Sequence, residues 1–246
     1  MKIAIVIFVM GDVYIQKFNS KFRPSVCDYC NKHGYELIIL DDYIKPEVNM
    51  HKKKFYWQRM LIPDKFSDYD YVVSMDSDIF INPHSPQIPF NEIPEGKVGA
   101  VNERKYFGNY EWRERIQAKS GWEKTGKDWY LLSGETKDYN DHINGGLVIY
   151  QPKYHAKMFK ELYENNINNY MKYHQDDQSI ISSFVIDNNL IYWLDERFNK
   201  IWYFWKEIFY PDFDYLPEHL KRAYIHNFTG LNFFTHFTSH IDVDFL

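Results

Sequence analysis

The run Tyr71-Val72-Val73-Ser74-Met75 ends in Asp76-Ser77-Asp78 and turns apolar again at Ile79-Phe80-Ile81. A short apolar segment rich in β-branched and aromatic side chains reads as a buried strand. Carboxylates beside such a strand cost free energy unless a cation or a partner offsets them. Asp-x-Asp at a strand's carboxyl end can set two hard oxygen ligands beside one divalent cation, with coordination positions left for phosphate oxygens. A turn whose aspartates cap the next segment is the plainer alternative.

The neighbouring segments predict an α/β chain around that strand. Lys2 to Met10 reads as a parallel-sheet strand, followed at Gly11-Asp12 by a helix from about Tyr14 to His33, kinked at Pro24 and stopped by Gly34. Glu36 to Leu40 is a second strand, and Lys52 to Leu61 a basic, aromatic helix. Val98 to Val101, Ile143 to Tyr150 and Leu190 to Leu194 read as further strands, and Tyr154 to Tyr173 as an amphipathic helix. Residues 174–179 are expected to cap a helix over Ile180 to Ile186. No repeat, low-complexity run or clean linker divides the chain, so 1–246 is expected to form a single domain.

Composition narrows the function. The formal net charge of −5 predicts no broad basic surface for nucleic acid, although a nucleotide needs only a local cluster of cations. Aromatic residues reach 19%, a supply of rings for stacking on bases and sugars as well as for filling a core. No apolar run approaches a membrane span, and Met1 to Met10 lacks a small-residue cleavage site. Cys27 and Cys30, the only cysteines, cannot build a disulfide framework and lack zinc co-ligands. Those features together predict a cytoplasmic protein.

Several groups could do chemistry. Asp76 and Asp78 need a third ligand, and His226 is the candidate: it follows a short apolar segment read as a strand and precedes a glycine by four residues. Neutral imidazole with two carboxylates suits Mn²⁺ or a similar cation. Asn144-Gly145-Gly146 opens a strand with two residues lacking Cβ, which allows positive φ or close approach of a ligand to the backbone. Asp176-Asp177-Gln178 lies at an expected helix N-terminus, where a carboxylate can cap, accept sugar hydroxyls or steady a developing positive charge. Among Lys52, Lys53, Lys54 and Arg59, one or two cations could reach a pyrophosphate.

This ordered set resembles GT-A-fold glycosyltransferases, and most of all the glycogenin-like glycosyltransferase family eight, across nearly the whole chain. Asp12-Val13-Tyr14 resembles the segment whose tyrosine stacks on uracil, and Lys53 or Lys54 before Trp57 the lysine-bearing helix leading to the metal strand. Met75-Asp76-Ser77-Asp78 is similar to the Asp-x-Asp site, Ile143 to Pro152 to the sugar-binding Asn-Ser-Gly strand, and Asp177-Gln178-Ser179 to the Asp-Gln helix start. His226 and Gly230 resemble a closing His-x-x-Gly. The chain departs from the pattern there: three residues separate the two, and no Lys-Pro-Trp follows to hold a diphosphate. Lys221, Arg222 or His236 are the candidate substitutes.

The resemblance implies a mixed, mostly parallel sheet flanked by helices, with a donor-binding half over about 1–103 and an acceptor half over about 104–246. It implies a metal site of Asp76, Asp78 and His226 holding Mn²⁺ or Mg²⁺. A UDP-sugar is expected against Val9, Asp12, Tyr14, Lys54, Arg59, Ser77, Gly145, Gly146, Gln178 and Gly230, with Asp177, Asp176 and Asn144 as the catalytic candidates. A glycan or protein is the expected acceptor, transfer is expected to retain configuration, and a homodimer is compatible with such a chain. Two rivals stay open: a metal-dependent nucleotidyltransferase or phosphohydrolase, and a non-catalytic relative that binds glycan.

Overall fold

The computed structural model describes residues 1–46, 52–105, 108–112, 114–115, 125–173 and 177–246, the side chains of Lys52 and Lys53 excepted. Its strands are β1 (Ile3–Phe8), β2 (Glu36–Leu40), β3 (Tyr71–Met75), β4 (Ile79–Ile81), β5 (Val98–Asn102), β6 (Ile143–Tyr150), β7 (Ile191–Trp193), β8 (Lys200–Ile201) and β9 (Phe234–His236). Six form a central sheet in the order β2-β1-β3-β6-β5-β7, and β4-β9-β8 form a small second sheet. In the central sheet β1–β2, β1–β3 and β5–β7 run parallel, whereas β6 is antiparallel to both β3 and β5.

Alternation along the strands sorts the core onto two faces. Ile3, Ile5 and Ile7 pack with Val73, Met75, Leu147 and Ile149 against Val26, Tyr29 and Cys30 of the helix Arg23–His33. That helix stops at Gly34, whose φ of 71° is left-handed. The expected kink near Pro24 is a wider helical turn, Phe18–Phe22, between the helices Asp12–Lys17 and Arg23–His33. On the opposite face Val148 and Tyr150 meet Phe159 and Tyr163 of the helix Pro152–Asn166, and Ile180, Ile181 and Val185 of the helix Asp177–Asp187. Among the described residues, no helix is long and apolar enough to cross a membrane.

One expected strand is a helix. The segment before His226 lies in the helix Glu218–Leu231, which buries Ile225, Phe228 and Thr229 at helical spacing and starts directly after Pro217. Its last carbonyls are satisfied by Asn82, whose Nδ2 donates to Thr229 O at 3.0 Å and Gly230 O at 3.1 Å.

Candidate active site

Topology brings three separate segments together at the carboxyl end of β3. Because β6 runs antiparallel to β3, with Met75 opposite Leu147, the glycines that open β6 lie beside the two aspartates. The Asp76 amide donates to Gly146 O at 2.8 Å. In the small sheet Ile79 stands opposite His236, and the Phe237 amide donates to Asp78 O at 2.9 Å. The result is a cluster of one oxygen each from Asp76 and Asp78 and one nitrogen from His236, all within 4.8 Å of one another.

His236, not His226, therefore completes the predicted metal set. His226 is exposed on the helix Glu218–Leu231, where its neighbour Ile225 takes the buried position. His236 Nε2 lies 3.1 Å from Asp78 Oδ1 and 3.6 Å from Asp76 Oδ2. Burial alone would lower its pKa, but Asp78 first and then Asp76 hold it above the ordinary histidine value, with Arg59 opposing. Its other nitrogen, Nδ1, is buried with no hydrogen-bond partner among the described residues. A Cβ at Gly146 would lie 2.4 Å from His236 Cε1 and 2.6 Å from Nδ1, so glycine is what lets this ring reach the aspartates. Neither glycine has a positive φ; Gly146 admits His236, while Gly145 lies against Arg59 and Gln178. Two carboxylates and an imidazole fit Mn²⁺ or a similar divalent cation.

Arg59 organises the other side of the cluster. It sits in the short helical stretch Gln58–Leu61, after the helix Lys52–Trp57. Its Nη2 donates to Asp76 Oδ1 at 2.7 Å, its Nε lies 2.9 Å from Asp177 Oδ2, and its Nη1 donates to the Gly145 carbonyl. Burial would lower the guanidinium pKa, yet Asp177 and then Asp76 keep it raised. Its charge is thus matched by two carboxylates, and it fixes their positions more than it stands open to a phosphate. Breaking such a buried pair typically costs ~3–5 kcal/mol.

Asn144 and Gln178 are also locked into the protein. Asn144 Oδ1 accepts from the Gly146 amide at 2.8 Å and from Asn199 Nδ2 at 2.6 Å, and its Nδ2 faces Glu103 Oε2 at 3.4 Å. Gln178 Oε1 accepts from the Gly145 amide at 2.8 Å. Behind them Glu103 Oε1 lies 3.2 Å from Nδ1 of the fully buried His142, whose pKa burial lowers despite that carboxylate. Asp177 is buried at the first position of its helix, where the helix dipole favours a carboxylate.

The remaining candidates divide. Ser77 lies between Asp76 and Asp78 in the turn, and Val9 is buried just after β1, its amide donating to Leu40 O at 2.9 Å. Asp12 and Tyr14 are exposed in the helix Asp12–Lys17, and the Tyr14 ring packs 5.3 Å from that of His240. Lys54 lies over the Tyr170 ring at 5.3 Å. Gly230 is exposed at the end of its helix, held by Asn82, and does not join the aspartates. Asp176 and the Lys53 side chain fall outside the described residues. Sequence reasoning did not place His236 beside the two aspartates, nor Glu103 and Asn199 behind Asn144. The signal for His236 was the β-like run Asn232-Phe233-Phe234-Thr235, which leads directly into it.

No protein-family model matches the chain, and no curated protein matches it in sequence. Solved structures match it in fold. A glycosyltransferase involved in the glycosylation of the major capsid of PBCV-1 superposes with a TM-score of 0.62 at 14% identity, covering 100% of this chain and 97% of that one. The bifunctional glycosyltransferase WbbM gives 0.61 at 14% identity over 96% of this chain and 45% of its own. Galactosyltransferase LgtC, in complex with donor and acceptor sugar analogs, gives 0.58 at 13% identity over 95% and 86%. Identities this low speak for the fold alone, and on the fold they agree: the chain has the GT-A architecture, a mixed and mostly parallel sheet flanked by helices, that these glycosyltransferases share.

Proposed function

We propose that this chain is a metal-dependent glycosyltransferase of the glycogenin-like kind, a single domain moving a sugar from a nucleotide donor, UDP-linked, to a glycan or protein acceptor. The observation that supports this most is the convergence of Asp76, Asp78 and His236 at the carboxyl end of β3, where open α/β sheets bind their ligands. A Mn²⁺ or Mg²⁺ ion held there would neutralise charge on the leaving diphosphate. The chain's own contribution is placement. Arg59 spaces Asp76 from Asp177, so that one carboxylate faces the cation and the other the sugar side. Gln178 and Asn144 pin the Gly145-Gly146 backbone, against which His236 and Arg59 are held beside the sugar position. The exposed Tyr14 ring offers a stacking surface for the base. Retention of configuration follows from the family resemblance.

Thermal-shift screening against nucleotide sugars, with and without Mn²⁺, tests this reading. A UDP-sugar should raise Tm only when the metal is present, because a ligand that binds the native state stabilises it. A metal-dependent shift with nucleoside triphosphates, accompanied by pyrophosphate release, would favour the nucleotidyltransferase reading instead.

A further inference from the structure

After β9 the chain makes a tight turn whose two central residues are both left-handed: Ser239 at φ 58° and His240 at φ 57°. The Ile241 amide closes it onto Thr238 O at 3.3 Å. Two successive positive φ values are the territory of Asn-Gly, and serine is poorly suited to it. The turn is held from both sides, the Phe237 amide tied to Asp78 O at 2.9 Å and the His240 amide to Phe237 O at 2.8 Å. Strain kept in place this firmly beside a candidate site points to a use.

The turn presents the His240 imidazole. The ring packs 5.9 Å from Phe22, nearly parallel at 25°, and 5.3 Å from Tyr14. It is only 9% exposed, and its Nε2 is buried with no hydrogen-bond partner among the described residues. Asp78, Lys17 and His236 are the charged or titratable groups that act on it. Buried polar atoms are nearly always paired, so an unpaired nitrogen on a ring that packs on Tyr14 and lies within reach of the Asp78 charge asks for a ligand.

We propose that His240 contacts the donor, its Nε2–H donating a hydrogen bond to a phosphate oxygen of the nucleoside diphosphate bound between Tyr14 and the Asp76–Asp78–His236 cluster. This rests on the glycosyltransferase reading.

Calorimetric titration with Mn²⁺ alone, and with UDP in the presence of Mn²⁺, tests it. His240→Phe keeps the ring between Phe22 and Tyr14 and removes the donor. The expected result is unchanged Mn²⁺ affinity and UDP affinity reduced roughly tenfold, one charge-assisted hydrogen bond's worth. His240→Gln, which retains an N–H, should lose less, and Ser239→Gly should bind UDP as the parent does while melting higher. Parent-like UDP affinity in His240→Phe, or an equal loss of Mn²⁺ affinity, overturns the assignment while the enzymatic reading stands. A parent protein that takes up no UDP with Mn²⁺ would bring down both.

Discussion

Replacing Gly146 with alanine tests the geometry of the Asp76–Asp78–His236 cluster without replacing any of its three residues. The added Cβ would sit 2.4 Å from His236 Cε1, 2.6 Å from its Nδ1 and 2.8 Å from Asn144 Oδ1. Ordinary contact begins near 3.4 Å, so the imidazole must retreat by about 1 Å. The strand cannot yield instead. β6 is paired on both sides, and the Gly146 carbonyl and amide are engaged by Asp76 and Asn144 at 2.8 Å each. A displacement of about 1 Å far exceeds the ~0.2 Å tolerance of a metal–ligand bond, so Mn²⁺ affinity should fall at least tenfold. Overpacking should also destabilise the fold by ~1–3 kcal/mol, a drop of several degrees in Tm for a chain of this size. Gly145→Ala is the comparison: its Cβ meets Arg59 Nη1 at 3.0 Å and Gln178 Oε1 at 3.2 Å, smaller overlaps and none with the three cluster residues, so Mn²⁺ affinity should fall less. Calorimetric Mn²⁺ titration and thermal melts of both variants check the difference. Parent-like Mn²⁺ affinity and Tm in Gly146→Ala would refute the claim that this glycine exists to admit His236.

Two further outcomes follow from the same contacts. His236→Ala should remove Mn²⁺-dependent stabilisation while His226→Ala leaves it intact; the reverse pattern in a thermal-shift titration would restore the histidine on the exposed helix as the ligand. Acid should also weaken the fold through His155, whose pKa burial lowers. Its Nδ1 accepts from the Gln151 amide at 2.9 Å and its Nε2 faces Gly96 O at 3.1 Å, an arrangement that requires the neutral ring. Below the free histidine value of about 6.5 the unfolded chain binds the proton more readily than the native one. Stability is therefore complete above that pH and declines as pH falls toward the depressed folded value. Urea midpoints from pH 7 to 5 should drop less steeply in His155→Gln, and an unchanged slope would exclude His155 as a contributor.

The fold was readable because its signals are local. Asp-x-Asp after Tyr71–Met75, the glycine stop at Gly34 and the apolar Ile143–Tyr150 each write their geometry within a few residues. The histidine that joins the two aspartates is not local in this sense. Whether a histidine reaches Asp78 depends on which segment pairs with Ile79–Ile81, and both candidates follow apolar stretches. The period of those stretches separates them. Leu220 to Thr229 repeats as a helix does, burying Ile225, Phe228 and Thr229 and turning His226 to solvent. Phe234 to His236 pairs instead with β4 and delivers its histidine one register step from the aspartates. Reading the glycine pair had the same difficulty. Missing Cβ atoms at 145 and 146 signal close approach, yet the sequence does not say by what, and at Gly146 it is a side chain of the protein's own. Arg59 shows the remaining gap: as a cation before an Asp-x-Asp it suggests phosphate, whereas its neighbours in space, Asp76 and Asp177, turn it into the brace that sets their separation. Residue types thus suggested the chemistry, and antiparallel pairing of β6 with β3 and of β9 with β4 decided which copies of those residues meet.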